Sequence, residues 1–199
     1  MTQLSSTPPA LSIASLLPQA QFGERHKAKM RVTPQHALDA IETLSDADEP
    51  IIRWALKLRE APARIAAAIG LPSGLRGKSR FGIADFTLLE RSDTEAFYGL
   101  AGRFWRPDFG LEPIADADSF LAFDKPGVAR LVLSFTATPI GDGEIRLTTE
   151  TRVFCPDRRS LFLFTPYWLL IRPFSGLIRN QMLRLIASKA SACPPRPAQ

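Results

Sequence analysis

Glu24 and His26 are the residues best placed to do chemistry, because both fall on the face of a predicted strand that should be buried. From Phe22 to Val32 one parity carries the cations Arg25, Lys27, Lys29 and Arg31, and the other carries Phe22, Glu24, His26, Ala28, Met30 and Val32. Such alternation predicts a strand with one buried face. A carboxyl and an imidazole set in an apolar wall can orient a ligand or transfer a proton.

The spacing of the pair limits its chemistry. Two residues apart on one strand face, the Cβ atoms of Glu24 and His26 should lie about 6.5 Å apart, twice a rise of about 3.3 Å. We therefore expect no direct hydrogen bond between the two side chains. Three roles stay open: a structural pair satisfied by neighbouring protein groups, a pair that orients a ligand, and a proton-transfer pair.

Further candidates for a pocket lie in a later strand and in the last helix. Tyr98 shares a strand face with Gly102 and Phe104, and Gly102 either leaves room for a ligand or lets the sheet bend, of which bending is the safer interpretation. Arg103, on the opposite parity, is expected to face solvent along Trp105. The predicted ligand-binding residues are Glu24, His26, Tyr98, Phe104, Trp168, Ile171 and Ser175. No catalytic residue is assigned.

The sequence does not support a phosphate-binding loop, a metal site or a disulfide framework. Gly74 to Ser79 resembles part of a phosphate-binding loop, but Pro72 stands where that loop needs glycine. Two histidines are too few for a three-histidine metal site, and we expect neither a metal nor a cofactor. The cysteines, Cys155 and Cys193, form no disulfide framework, which favours a reducing compartment.

Length and charge bound the class of protein. With 199 residues, 45% hydrophobic and 23% charged, the chain suits one globular domain, expected over residues 11–190 between flexible tails at 1–10 and 191–199. The net charge of +5 is dispersed, which predicts a solvated basic surface, leaves a transient membrane-surface contact open, and does not favour nucleic acid. The oligomeric state stays undetermined.

Targeting signals are weak. No Lys or Arg precedes Arg25, so the charged start of a secretory signal is missing. The most apolar stretch, Phe162 to Ile178, is interrupted by Pro166, Arg172 and Pro173, which favours a buried or pocket-lining helix over a membrane span. A cytoplasmic location is expected.

The order of elements follows from local signals. A helix should begin at Thr33-Pro34, with Ala37, Leu38, Ile41 and Leu44 on one face, and a second should cover Ile51 to Ile69. A short helical turn is predicted at Asp118 to Phe123, and Gly141-Asp142-Gly143 should turn a hairpin. The later strand candidates are Phe81 to Arg91, Glu95 to Trp105, Gly110 to Ile114, Val128 to Pro139 and Glu144 to Cys155.

The last element is a long helix with one apolar stripe: Leu161, Phe164, Trp168, Ile171, Ser175, Ile178, Met182 and Leu185. Proline inside a helix removes a hydrogen bond. We therefore expect a kink near Arg172-Pro173 and leave open a fresh start at Thr165-Pro166. The stripe should pack against the sheet, and part of it could roof a cavity.

The chain resembles a bacterial subgroup of the START-like (SRPBCC) superfamily, which includes polyketide cyclases and birch-pollen-allergen-like proteins. The resemblance covers roughly residues 15–189 and is carried by the order of elements and by three segments, Gly102 to Pro107, Arg146 to Val153 and Tyr167 to Arg179. Ser160 to Thr165 departs from the subgroup in being more apolar than its charged helix start.

The resemblance implies an α+β helix-grip fold, in which a curved antiparallel sheet of about six strands wraps a long C-terminal helix and two helices follow the first strand. It also implies a cavity that binds a small hydrophobic ligand such as a lipid or polyketide. Two functions stay open: binding or carriage of that ligand, and a cofactor-free cyclase or aromatase in which Glu24, His26 or Tyr98 would handle protons.

Overall fold

The computed structural model describes residues 12–42, 85–106 and 108–192, with the side chains of the last helix described at 158–172 and 183–188. The predicted second helix, Ile51 to Ile69, lies outside these residues, as do Leu44 and the chain before residue 12.

The described residues form an α+β structure around one antiparallel sheet. Its strands are β1 (Phe22–Met30), β2 (Thr87–Arg91), β3 (Glu95–Gly102), β4 (Ala129–Gly141) and β5 (Glu144–Phe154), in the order β1-β5-β4-β3-β2. The described residues thus hold five strands where about six were expected. The segment Gly110 to Ile114 is no strand, since it contributes a single bridge between Ala101 and Glu112.

Strand β1 confirms the predicted alternation. Arg25, Lys27 and Lys29 are exposed, while the residues between them are partly buried. The strand runs antiparallel to β5, so that Arg25 lies opposite Glu150 and its Nε donates to Glu150 Oε2 over 2.6 Å. Pairing ends at Met30 rather than at Val32, because the chain bends there toward Pro34, which begins the next helix.

The turn between β4 and β5 is the predicted hairpin. Gly141, Asp142 and Gly143 have φ angles of 99°, 51° and 70°. Glycine adopts this left-handed region without strain, and aspartate tolerates it better than most residues. Three successive positive φ angles therefore explain why the two glycines flank the turn.

Four helices complete the described structure: α1 (Ile13–Leu16), α2 (Pro34–Glu42), α3 (Ala117–Ala122) and α4 (Arg158–Ala192). Thr33 Oγ1 accepts from the His36 amide at 3.3 Å, as expected for a cap on α2. Helix α4 continues through Pro166 and Pro173, so no new helix starts at Pro166. Pro166 lies on the exposed side, where water can replace the hydrogen bond that proline removes.

The two faces of the sheet bury different cores. On one face, Phe97 and Val132 pack against Leu16 and Leu17 of the α1 segment and against Phe120 of α3. We call the opposite face, which carries Phe22, Tyr98 and Leu147, the inner face.

The inner face carries two apolar clusters. The aromatic cluster contains Phe22, Leu100, Phe104, Val153, Phe164 and Trp168. The aliphatic cluster contains Met30, Leu38, Ile41, Leu147, Leu183 and Ile186, with Tyr98 and Phe135 at its border.

Helix α4 contributes to both clusters. At about 1.5 Å per residue, it spans about 22 Å from Trp168 to Leu183. Near its C-terminal end Leu183 and Ile186 are buried, whereas Leu185 of the predicted stripe is only partly buried. The predicted stripe advances by alternating steps of three and four residues, whereas an α-helix has 3.6 residues per turn. The buried side of the helix therefore drifts away from the predicted positions along the sequence.

Candidate functional site

A polar band covers β1 and β5 of the inner face, between the parts of the two apolar clusters that these strands carry. It consists of Glu24 and His26 on β1 and of Thr149 and Thr151 on β5. The register places Glu24 opposite Thr151 and His26 opposite Thr149, so the four side chains point to the same face. Thr149 and Thr151 are buried, at 0% and 5% exposure, and the band is therefore an interior feature of the sheet.

Glu24 and His26 hydrogen-bond directly, contrary to the expectation from their spacing. His26 Nε2 lies 2.7 Å from Glu24 Oε1, and the side chains are 22% and 14% exposed. Both side chains are long enough to lean toward each other across the separation of their Cβ atoms, which the spacing argument ignored. The bond fixes one carboxylate oxygen on the imidazole and turns the pair into a single polar unit.

The second oxygen of Glu24 and the hydroxyl of Tyr98 are left without partners. Both atoms are buried, and neither has a hydrogen-bond partner among the described residues. A buried polar atom without a partner costs about 1 to 3 kcal/mol, so such atoms are rare in folded proteins. These two atoms are therefore the most unusual feature of the inner face.

The two unpaired atoms belong to one row of the sheet. Glu24 lies opposite Thr151, Thr151 opposite Leu133, and Leu133 opposite Tyr98. Three strand spacings of about 4.8 Å separate Glu24 from Tyr98, or about 14 Å in all. Thr151 and Leu133 form the floor between them.

Tyr98 is a neutral hydroxyl in this environment. Its ring packs edge-on against Phe135, with 6.1 Å between centroids. Burial and, to a lesser extent, the charge of Glu42 raise the pKa of Tyr98 to about 12, although the charge of Arg91 acts in the opposite direction. At neutral pH the phenol is protonated, so it can donate a hydrogen bond but cannot serve as a base.

Three of the remaining predicted residues, Phe104, Trp168 and Ile171, lie in or against the aromatic cluster. Phe104 and Trp168 belong to the aromatic cluster, where Trp168 stacks near Phe22 at 5.7 Å between centroids. Phe22 precedes Glu24 on the same strand face, so this cluster forms one wall of the band. Ile171 is only partly buried at the cluster's edge, and the Ser175 side chain lies outside the described ones.

Thr149 and Thr151 are site residues that the sequence interpretation missed. Their neighbours Glu150 and Arg152 alternate with them along β5 and lie on the outward face, where Arg152 Nε is 2.8 Å from Glu150 Oε1. Burial raises the pKa of Glu150, but the hydrogen bonds from Arg152 and Arg25 outweigh it and lower that pKa overall. The same alternation that placed Glu150 outward could have placed both threonines inward.

Two expectations about the neighbouring strand end are corrected. A Cβ on Gly102 would lie 2.9 Å from the Phe109 carbonyl oxygen, so the space beside this glycine is filled by the protein's own backbone and leaves no room for a ligand. Arg103 is only 29% exposed and lies 3.4 Å from Glu112 Oε1. It therefore contributes to an ion pair instead of lying free along Trp105.

Two open clefts formed by described residues lie away from the polar band. One, of about 330 Å³, lies at the ends of β2 and β3, beside Thr87, Leu100 and Ile114. The other, of about 310 Å³, lies beside the first turn of α4 and contains Arg103, Arg106 and Arg159. We call the second one the basic cleft.

Comparison with known proteins yields little. No family model and no curated protein matches the chain. The crystal structure of TTHA0849 from Thermus thermophilus is similar over 86% of this chain and 98% of that one, with 7% sequence identity and a TM-score of 0.30. At that TM-score the likeness carries no argument about function. None of the helices in the described part of the chain is long and apolar enough to span a membrane.

Proposed function

We propose that the protein binds a small, mainly apolar molecule against the polar band of the inner face, beneath α4. The observation that carries this proposal is a pair of buried atoms, Glu24 Oε2 and Tyr98 OH, which lie on one row of the sheet and have no hydrogen-bond partner in the described part of the chain. A bound molecule that forms a hydrogen bond with each atom would remove the free-energy cost of burying both of them unpaired. The apolar clusters on either side would provide most of the affinity.

The chemistry of the two atoms defines the class of ligand. A carboxylate oxygen accepts, so Glu24 Oε2 would take a hydrogen bond from a hydroxyl or amine of the ligand. The neutral Tyr98 hydroxyl would donate to a carbonyl, ether or second hydroxyl. With about 14 Å between the two positions on the sheet, a molecule that meets both has polar groups at opposite ends of an apolar body, as in hydroxylated acyl chains and fused-ring polyketides or sterols.

The proposal extends to the architecture of the resembled family. In a helix-grip arrangement, the sheet would wrap α4, a sixth strand would complete the sheet, and the cavity would lie between helix and sheet. The burial of Trp168 and Ile186 of α4 in the two inner-face clusters is compatible with it.

A second candidate function is favoured by the bond between Glu24 and His26. A carboxylate that hydrogen-bonds an imidazole orients it as a general base, the arrangement of many hydrolytic and proton-transfer sites. In a cofactor-free cyclase or aromatase, His26 would take a proton from the substrate and Tyr98 would donate to the developing oxyanion. His26→Phe would then abolish turnover, whereas in a pure binding protein it would only change which ligands compete.

The first experiment looks for the ligand. Native mass spectrometry of the full chain, purified from its own host, should reveal a retained small molecule. The neutral fluorescent probe N-phenyl-1-naphthylamine should bind the emptied protein at about one per chain. A protein that neither retains a molecule nor binds the probe would refute the proposal.

The second experiment assigns the polar groups. Hydroxylated acyl compounds should displace the probe better than their parent hydrocarbons, and Glu24→Gln or Tyr98→Phe should reduce that preference by about tenfold, or 1.4 kcal/mol. In the ligand-free state, Tyr98→Phe should raise the free energy of unfolding by about 1 kcal/mol, because it removes an unpaired buried hydroxyl. Lys27→Gln, on the exposed face of β1, is the matched control and should change neither quantity.

A further inference from the structure

The first half of α4 exposes a row of large apolar side chains to solvent. Phe162 is 76% exposed, Leu169 62%, Leu163 37% and Leu170 36%. We call these four residues the outward stripe. A patch of this kind on one side of a helix marks an interaction surface more often than isolated exposed residues do.

The outward stripe lies opposite the buried side of the same helix. At 100° per residue, Phe162 and Leu169 are within about 20° of each other, whereas Phe164 and Trp168 point roughly the other way. Phe164 is buried in the aromatic cluster, where its ring lies 4.9 Å from Phe22 and 5.9 Å from Trp168. The buried side therefore anchors the helix to the sheet and holds the stripe outward, on the side away from the polar band.

All charged residues of helix α4 itself have the same sign. Residues 158–192 contain no Asp or Glu and six cations: Arg158, Arg159, Arg172, Arg179, Arg184 and Lys189. Arg158 and Arg159 precede the stripe, and Arg172 follows it, all three exposed. An apolar stripe flanked by cations is the pattern of helices that lie in the interface of an anionic membrane.

The basic cleft adjoins the stripe and shares Leu163 with it. Three carboxylates moderate its charge. Arg106 lies 3.1 Å from Asp108, and Arg103 lies 3.4 Å from Glu112, which also binds Lys125 at 2.8 Å. The third is Asp157, whose Oδ2 accepts from the amide of the cleft residue Gly127 at 2.6 Å. With Arg159, four cations face three carboxylates. The cleft keeps a positive excess beside the apolar residues, as a phosphate group at a bilayer surface would require.

We propose that this side of α4 docks on the surface of an anionic lipid bilayer. Phe162 and Leu169 enter the boundary between headgroups and acyl chains, while Arg158, Arg159 and the basic cleft contact headgroup phosphates. A second copy of the chain suits the surface less well, because a two-fold pairing of the stripe would bring its arginines together. The docking is peripheral and leaves the fold intact.

Vesicle flotation of the full chain tests the proposal. The protein should float with vesicles of phosphatidylcholine and phosphatidylserine but not with phosphatidylcholine alone, and added salt should weaken binding because it screens the arginines. The double variant Phe162→Ser, Leu169→Ser should bind at least tenfold more weakly, since it removes the inserted apolar area. Arg158→Gln with Arg159→Gln should weaken binding and flatten its salt dependence.

A matched control distinguishes binding through the outward stripe from non-specific binding by any exposed apolar residue. Leu121 is 43% exposed on α3, and Leu121→Ser should leave vesicle binding unchanged. Thermal unfolding of each variant should stay close to wild type, because the changed side chains are exposed. The proposal would be overturned if vesicle binding survived in the Phe162, Leu169 double variant, or if uncharged vesicles bound the protein equally well. It would also be overturned if the protein did not bind vesicles and instead formed a concentration-dependent dimer, or a complex with an acidic protein, that the double variant abolished.

Discussion

At the residue scale, the inner face contains both polar atoms that are hydrogen-bonded and polar atoms that have no partner among the described residues. Glu24 uses one oxygen for His26 and leaves the other buried, while Tyr98 keeps its hydroxyl in the border of the aliphatic cluster. Burial favours the neutral form of a phenol, which is why its pKa is raised. The ionisation of Tyr98 is therefore a direct probe of this environment.

Tyr98 should titrate near pH 12, about two units above an ordinary tyrosine. The chain has two tyrosines, so the Tyr167→Phe variant isolates Tyr98 in an absorbance titration of the phenolate. The folded pKa exceeds the unfolded one, so ionisation of Tyr98 does not affect the free energy of unfolding below pH 10 and lowers it as the pH rises from 10 toward 12. Ionisation near pH 10 in the still-folded variant would show that the hydroxyl is solvated.

At the scale of secondary-structure elements, the inward and outward sides of α4 have different roles. Its inward side supplies Phe164 and Trp168 to the aromatic cluster, and its outward side exposes Phe162 and Leu169. Two aromatic residues that are close in sequence thus have opposite environments. The helix offers a matched pair of substitutions for that reason.

Trp168→Ala should cost about 3 to 5 kcal/mol of unfolding free energy, because the indole is 7% exposed and packs on Phe22 and Phe164. Phe162→Ala, on the exposed side, should stay within about 0.5 kcal/mol of wild type. Urea unfolding followed by circular dichroism measures both. A small cost for Trp168→Ala together with lost probe binding would instead assign Trp168 to a cavity wall.

The end of β3 depends on Gly102 for close backbone approach. Gly102→Ala should cost about 1 to 3 kcal/mol, because its Cβ would meet the Phe109 carbonyl at 2.9 Å and the Leu111 side chain at 3.1 Å. Gly23→Ala on β1 is the control, since its Cβ would make an ordinary contact at 3.6 Å with the Thr151 carbonyl. Its unfolding midpoint should be equal to that of wild type or higher. Equal effects of the two substitutions would contradict this account.

At the scale of the whole molecule, one sheet and one helix connect the two inner-face clusters. Phe22 and Met30, at opposite ends of β1, belong to different clusters, as do Trp168 and Ile186 of α4. The polar band separates the clusters on β1 and β5, whereas Leu131 of β4 packs against both. The shared strand and helix should make the clusters unfold together.

Ile186→Ala tests this coupling. Ile186 is fully buried in the aliphatic cluster, and its truncation should cost about 2 to 5 kcal/mol. In a Trp54→Phe background, tryptophan fluorescence reports only Trp105 and Trp168, which lie in or against the aromatic cluster. The fluorescence midpoint should fall together with the far-ultraviolet one. Separate midpoints would mean that the clusters unfold independently.

The sequence by itself determined the local features of this protein. The alternation of β1, the cap at Thr33 and the glycines of the β4–β5 turn were predicted and are confirmed. These features depend on backbone preferences and on periods of two or 3.6 residues, which neighbouring residues set.

Tertiary structure decided the rest. The direct bond between Glu24 and His26 depends on how both side chains turn, and the alignment of Glu24 with Tyr98 depends on the register of four strands far apart in sequence. The outward position of Phe162 depends on which side of α4 the sheet covers. Hydrophobic periodicity alone does not encode these relations, because each arises from packing between segments that only the folded chain brings together.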